Sequence, residues 1–230
     1  VALKAKREGK RMEDAVRDHV YSLNDKRYEK ICRISKYLSH EIPNNGSVMT
    51  QCFGETIIGM MARTLKEEEK NVRFFCPETR PYFQGARLTA TVLSEMGFDT
   101  TVITDNMPAF VMKKESIDVF TSAADAITMD GYVVNKVGTL GIAICAKYFG
   151  VKTYVTGDPD KFHKTIDDVK IEMRDPKFSL EAMGIRTAVD GVKGYYPAFD
   201  ITPPSLIDGI VTDIGISNPP NLNSYFLDGG

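Results

Sequence analysis

Apolar residues recur at helical spacing in the first stretch of the chain, where Ile31, Ile34 and Leu38 share one face of RMEDAVRDHVYSLNDKRYEKICRISKYLSHEI. The pattern stops at Pro43 and the turn Asn44, Asn45, Gly46, which predicts a segment of one or two amphipathic helices over residues 1–45. Beyond it the period changes. Short β-rich runs alternate with helical patterns: SVMTQ and a helix to about Leu65, VRFFC and a helix from Gly85 to Met96, TTVIT and a shorter helix. IDVFTSA, a helix from about Asn135 to Phe149, and KTYVTG continue the series. Alternation of this kind predicts parallel βαβ units, because parallel strands need crossover helices that cover both faces of the sheet. The fold class expected is therefore α/β: a Rossmann-like, doubly wound, mainly parallel sheet over residues 46–230, preceded by the helical segment. The tail from Ile201, with Pro203, Pro204, Pro219 and Pro220, reads as a short helix around Leu206 to Ile210 followed by extended chain.

Composition narrows the function classes. The chain has 230 residues, 43% hydrophobic, enough to bury one large core with a small appendage. Its net charge is −2 and its cations are interleaved with acids, as in KEEEK and DDVKIEMRD, so nucleic acid is not an expected partner. No apolar run approaches the roughly 20 residues of a membrane span, and VALKAKREGKR lacks the apolar centre of a signal peptide, which implies a cytoplasmic protein without a membrane partner. The four cysteines are far apart, with no CxxC pair and no histidine at ligand spacing, so neither a metal nor a disulfide framework is expected.

In open α/β sheets ligands bind beyond the carboxyl ends of the strands. Cys52 follows the first predicted strand; Cys76, Glu78, Arg80 and Gln84 follow the second; Asp105 and Asn106 the third; Asp125 the fourth; Asp158 the fifth. Cys52 reads either as a packing residue or as a reactive thiol, the latter because a helix starting near Gly54 would lower its pKa. Asp125, in SAADAI, reads either as a cap or as a carboxylic acid kept neutral by an apolar setting. NKVGTLG, residues 135–141, offers a lysine and backbone amides as an anion cradle, or equally a glycine-assisted close helix contact. His19, His40 and His163 read as surface or capping residues.

Three longer stretches carry a resemblance. CPETRPYFQGARLTATVLSEMGFDTTVITDNMPAFVM, AADAITMDGYVVNKVGTLGIAICAKYFGVKTYV and PAFDITPPSLIDGIVTDIG resemble, in order, the methylthioribose-1-phosphate isomerase family. That family is related to ribose-1,5-bisphosphate isomerases and to the regulatory subunits of initiation factor 2B. The resemblance implies a cofactor-independent aldose-ketose isomerase acting on a 5-modified ribose 1-phosphate, as a homodimer. It also implies the alternative of a non-catalytic, sugar-phosphate-binding regulatory subunit. Carried over by motif, the catalytic pair falls on Cys52 in TQCF and Asp125 in AAD, and the substrate-binding residues on Gln84, Asn135 and Lys136. Some family positions differ: Gln51 stands for a histidine, Phe53 for a small polar residue, Ala126 for an arginine. An apolar Phe53 lining the pocket would favour a 5-deoxy or 5-methylthio sugar over a second phosphate. In that family the phosphate-gripping arginines precede the matched region. The chain is accordingly expected to be part of a longer one, with Lys136 and the amides of residues 137–139 as its own phosphate contacts.

Overall fold

The computed structural model describes residues 1–9 and 11–227. Helices α1 (Ala2–Arg7) and α2 (Met12–Glu41) open the chain. The last turns of α2 bury Ile34 and Leu38 against α3 (Glu55–Glu67), as the helical spacing predicts. Between α2 and α3 runs β1 (Ser47–Met49). The series continues with β2 (Arg73–Pro77), a π-helical turn over Gly85–Thr89 that runs into α4 (Ala90–Glu95), β3 (Asp99–Ile103), α5 (Pro108–Glu115) and β4 (Val119–Ala123). Next come β5 (Ala126–Ile127), β6 (Val133–Lys136), α6 (Thr139–Phe149) and β7 (Lys152–Thr156). The short α7 (Lys177–Leu180) and the hairpin β8 (Glu181–Ala182) and β9 (Ile185–Arg186) precede β10 (Phe199–Thr202), β11 (Gly209–Thr212), β12 (Gly215–Ser217) and α8 (Asn223–Leu227).

The main sheet has the order β12-β11-β7-β4-β1-β2-β3, parallel throughout except for the antiparallel edge strand β12. Successive strand residues point to opposite faces. Val48, Phe74 and Val119 therefore pack against α2, α3 and α4, while their neighbours Met49, Phe75 and Phe120 pack against α5 and α6. Each fully buried side chain of this size contributes about 1.5–3 kcal/mol. The expected doubly wound sheet is present. Chain order reverses between β1 and β4, and the loops that follow these two strands carry Cys52 and Asp125.

Two expectations need correction. Asn135 and Lys136 do not start a helix: they lie in β6, the middle strand of a small antiparallel sheet, β10-β6-β5, and α6 begins at Thr139. The tail is not extended chain after a short helix: β11 joins the main sheet parallel to β7 and β12 folds back on it. In both places non-local pairing, invisible to local pattern, decides the conformation.

Candidate active site

The loop after β1 holds Cys52 in a left-handed backbone conformation, φ 58°, sparsely populated for a residue with a side chain. Two hydroxyls hold it there. The Cys52 amide donates to Thr79 Oγ1 at 3.2 Å, and Thr89 Oγ1 donates to the Cys52 carbonyl. Thr79 in turn is fixed by Asp105, whose carboxylate accepts the backbone N–H of Thr79 at 2.7 Å and of Arg80 at 2.6 Å. Asp105 is thus a loop brace. The thiol itself is half-buried, and burial pushes its pKa up against the opposing pull of the Phe53 amide and the Lys136 charge. The expected lowering by the start of α3 is outweighed, because removing a thiolate from water costs more than those interactions return.

Gln84 is placed by a close packing that only glycine permits: a Cβ on Gly85 would lie 1.8 Å from the Pro77 carbonyl oxygen. The Gln84 Oε1 atom is buried without a hydrogen-bond partner among the described residues. Across the cleft, the Asp125 amide donates to the Val134 carbonyl at 2.9 Å, which ties the acid to β6. Its carboxyl opens on the cleft, and partial burial pushes its pKa up while Lys136 and Arg174 pull it down.

On β6, Asn135 Nδ2 donates to Thr139 Oγ1 at 3.0 Å. Lys136 is only 4% exposed, and among the described residues no carboxylate lies within ion-pair distance of it. Its ammonium sits in an aromatic box, 5.1 Å from the Phe199 ring centre and 5.8 Å from those of Tyr82 and Tyr196. Burial first, and the neighbouring Arg174 second, hold its pKa below the ordinary lysine value.

Cys52, Gln84, Asp125, Asn135 and Lys136 all line one cleft of about 370 Å³, with Phe53, Leu88 and Ala123 forming an apolar side. Two of the amides expected to contact phosphate, those of Val137 and Gly138, are taken, and Val137 donates to the Ala198 carbonyl at 3.1 Å. Gly138, at φ 107°, and Leu140 donate their N–H groups to Asp200, at 2.7 and 3.2 Å, so an internal carboxylate caps α6. Arg80 is likewise committed, donating to the carbonyls of Glu181 at 2.6 Å and Phe178 at 3.3 Å. Asp158 pairs with Lys30 away from the thiol. Sequence reasoning missed Arg174, which lines the cleft, and the rings of the box; the local signal was the alternation Glu172, Met173, Arg174 inside a stretch read as interleaved surface charge. Among the described residues no group of three or more His, Cys, Asp or Glu side chains is placed to hold a metal, and no helix is long and apolar enough to cross a membrane.

The model of the initiation factor 2 subunit family matches residues 1–219. The chain belongs to this family. It is 42% identical, over 189 residues, to a 5-deoxyribose 1-phosphate isomerase of Clostridium botulinum, covering 80% of this chain and 54% of the relative. It is 39% identical, over 197 residues, to a methylthioribose-1-phosphate isomerase of Chloroflexus aurantiacus, covering 79% and 55%. The chain spans about half the length of these curated relatives. Two solved structures share the fold. A 5-methylthioribose 1-phosphate isomerase from Pyrococcus horikoshii OT3 superposes with a TM-score of 0.88 at 30% identity, over 98% of this chain and 66% of that one. Translation initiation factor eIF-2B, subunit delta, from A. fulgidus gives 0.85 at 30% identity, over 95% and 68%. The resemblance found in the sequence motifs is borne out.

Proposed function

We propose that the protein is an aldose-ketose isomerase that converts a 5-modified ribose 1-phosphate, 5-deoxyribose 1-phosphate or 5-methylthioribose 1-phosphate, to the corresponding ribulose 1-phosphate. The observation that carries this reading is the convergence of Cys52, Asp125 and Lys136 on one cleft at the reversal point of the sheet. The apolar side of the cleft, Phe53 and Leu88, supports a 5-deoxy or 5-methylthio end over a second phosphate.

A pentose 1-phosphate cannot open by losing a hydroxyl proton, since C1 carries the ester. Neutral Asp125 gives its proton to the ring oxygen as the bond from that oxygen to C1 breaks, and the C4 hydroxyl forms. Cys52 as thiolate takes the C2 proton, and the electron pair becomes the C1–C2 double bond of an enol phosphate. The thiol then returns this proton to C1 while the C2 hydroxyl gives its own back to Asp125, leaving a C2 ketone. Gln84, Asn135 and Lys136 hold the sugar phosphate. The reactive pair is neutral Asp125 with ionised Cys52; because a carboxyl titrates below a thiol, this pair is a minor part of the singly protonated site, and the rate should fall below the pKa of Asp125 and above that of Cys52. Both limbs are displaced to higher pH by burial.

The test is turnover of 5-deoxyribose 1-phosphate, 5-methylthioribose 1-phosphate and ribose 1,5-bisphosphate in parallel by the full-length protein. Cys52→Ser and Asp125→Asn should each cut turnover of the best substrate by about 10²–10⁴-fold, the usual worth of a positioned acid or base, with sugar-phosphate binding retained. Near-normal turnover in either variant would remove that residue from the mechanism. Binding without turnover of any of the three by the wild type would favour a regulatory subunit.

A further inference from the structure

Arg174 enters the cleft on a short extended segment that lies beside the approach to β10. The Ala198 amide donates to the Glu172 carbonyl at 2.9 Å and the Arg174 amide to the Tyr196 carbonyl at 3.0 Å, with Met173 bridged to Pro197. The two-residue period of an extended chain puts Glu172 and Arg174 on one side and Met173, half exposed, on the other. Glu172 then clamps the guanidinium, accepting from Nε at 2.9 Å and from Nη2 at 3.0 Å. The same group lies 5.5 Å from the Phe199 ring centre and 5.9 Å from that of Tyr82, the rings that also box Lys136. Glu172 engages two of the five guanidinium donors.

Two like charges thus share one aromatic floor, and each makes the other harder to hold. Glu172 pairs with Arg174 from outside the lining of the cleft, and Asp125 is the carboxyl group that lines it together with Lys136 and Arg174. Two cations and one carboxyl group thus line the cleft, and the more buried cation, Lys136, has no carboxylate within ion-pair distance among the described residues. A buried ammonium whose printed hydrogen bond is to the Tyr196 hydroxyl, at 3.5 Å, and which has no carboxylate partner is costly, so the arrangement fits an arriving anion. A monoester phosphate has that charge and the oxygen geometry that a fixed guanidinium matches.

We propose that Arg174 is a phosphate-gripping residue of this cleft, acting with Lys136 on the phosphate of the sugar phosphate, with Glu172 as the carboxylate that competes with phosphate for its guanidinium. The sugar part of this statement rests on the isomerase reading; the phosphate part does not. Calorimetric titrations of the full-length protein with inorganic phosphate and with 5-deoxyribose 1-phosphate separate the two. Arg174→Met should weaken both ligands about tenfold or more, the scale of one lost charge-assisted hydrogen bond, and Arg174→Lys should recover part of the loss. Glu172→Gln leaves the guanidinium charge and removes a competing carboxylate, so inorganic phosphate should bind about twofold tighter. A pair that serves only to dock residues 171–174 would instead make both variants worse, with a matching fall in melting temperature. The proposal is overturned if the wild type takes up no phosphate, or if Arg174→Met holds it within twofold of wild type. It is also overturned if Arg174→Met and Glu172→Gln weaken it alike, or if only the sugar phosphate is affected. Absent turnover with the phosphate results as expected would instead count against the isomerase reading.

Discussion

Two lysines mark two regions of the molecule that treat the same ammonium group in opposite ways. Lys30 sits in the seam between α2, the loop after β7, the β11–β12 turn and α8, with its Nζ 2.8 Å from Asp158, 3.6 Å from Asp213 and 2.8 Å from the Tyr225 hydroxyl oxygen. Burial works against its charge, yet the hydrogen bonds to Asp158 and Tyr225 outweigh that and hold its pKa above the ordinary value. Lys136 is more deeply enclosed and has ring faces where Lys30 has carboxylates, and its pKa falls. Ring faces attract a cation by roughly 0.5–2 kcal/mol, less than full desolvation of an ammonium costs. On the phosphate proposal the difference separates a structural cation from one kept for a ligand: the first has its counter-charge built in, and the second would take it from the ligand.

The sharpest way to break the contrast is Lys136→Met. Turnover should fall by at least about hundredfold, as expected when a charge contact worth roughly 1.5–3 kcal/mol to substrate is lost and catalytic geometry suffers with it. The melting temperature should hold or rise, because the substitution removes an unpaired buried charge and keeps an apolar stem in the box. A clear fall in melting temperature, read by calorimetry, would put Lys136 in the same class as Lys30.

What the sequence conveyed about these regions follows the range of the forces involved. The alternation of β-rich runs with helical patterns is a local property of the chain, and it carried the doubly wound sheet. Cys52, Gln84, Asp125, Asn135 and Lys136 were legible as rim or motif residues, and all five line the cleft. The errors are long-range. The helix expected from about Asn135 starts at Thr139, because residues 135 and 136 are held as strand by pairing with Asp200 and Phe199. The amides of Gly138 and Leu140 looked free because their acceptor, Asp200, is some sixty positions away. Burial of the Cys52 thiol is a tertiary quantity, so the local helix argument gave its pKa the wrong sign. The tail reads as prolines and short apolar runs, yet Gly209 of β11 pairs with Tyr154 of β7.

Lys30→Met should give the converse of Lys136→Met with a smaller effect. It leaves Asp213, 12% exposed, with Arg33 as its remaining cation at 3.0 Å, and leaves Asp158 with the Tyr225 hydroxyl at 3.2 Å in place of a cation. A partly exposed network of this kind is screened, so the expected cost is about 1 kcal/mol, read as a fall in melting temperature of roughly 2–4 °C. Phosphate affinity should be unchanged, since Lys30 lies outside the cleft that holds Cys52. Weakened phosphate binding here would mean that the two regions are coupled and that the contrast is one of degree.

The smallest effect is the dependence of stability on pH, where the two lysines must differ in sign. A lysine whose folded pKa lies above its unfolded value of about 10.4 contributes stability that is fully present below that value and is lost as pH climbs through the folded pKa. Lys30 is of this kind, so between pH 8 and 10 the stability difference between wild type and Lys30→Met should be flat. For Lys136 the folded pKa is lowered. Once pH passes it, the unfolded chain binds more protons than the folded one, and stability rises with pH until about 10.4. Wild type should therefore gain on Lys136→Met as pH is raised through this window, because the ammonium sheds the proton that burial makes expensive. Urea denaturation of the three proteins at half-unit steps, in a Cys52→Ser background because the Cys52 thiol is coupled to Lys136, measures both differences. A flat difference for Lys136→Met would mean that the boxed ammonium keeps its ordinary pKa. The rings would then compensate it as fully as carboxylates compensate Lys30, and the case for a charge held open for phosphate would lose its electrostatic half.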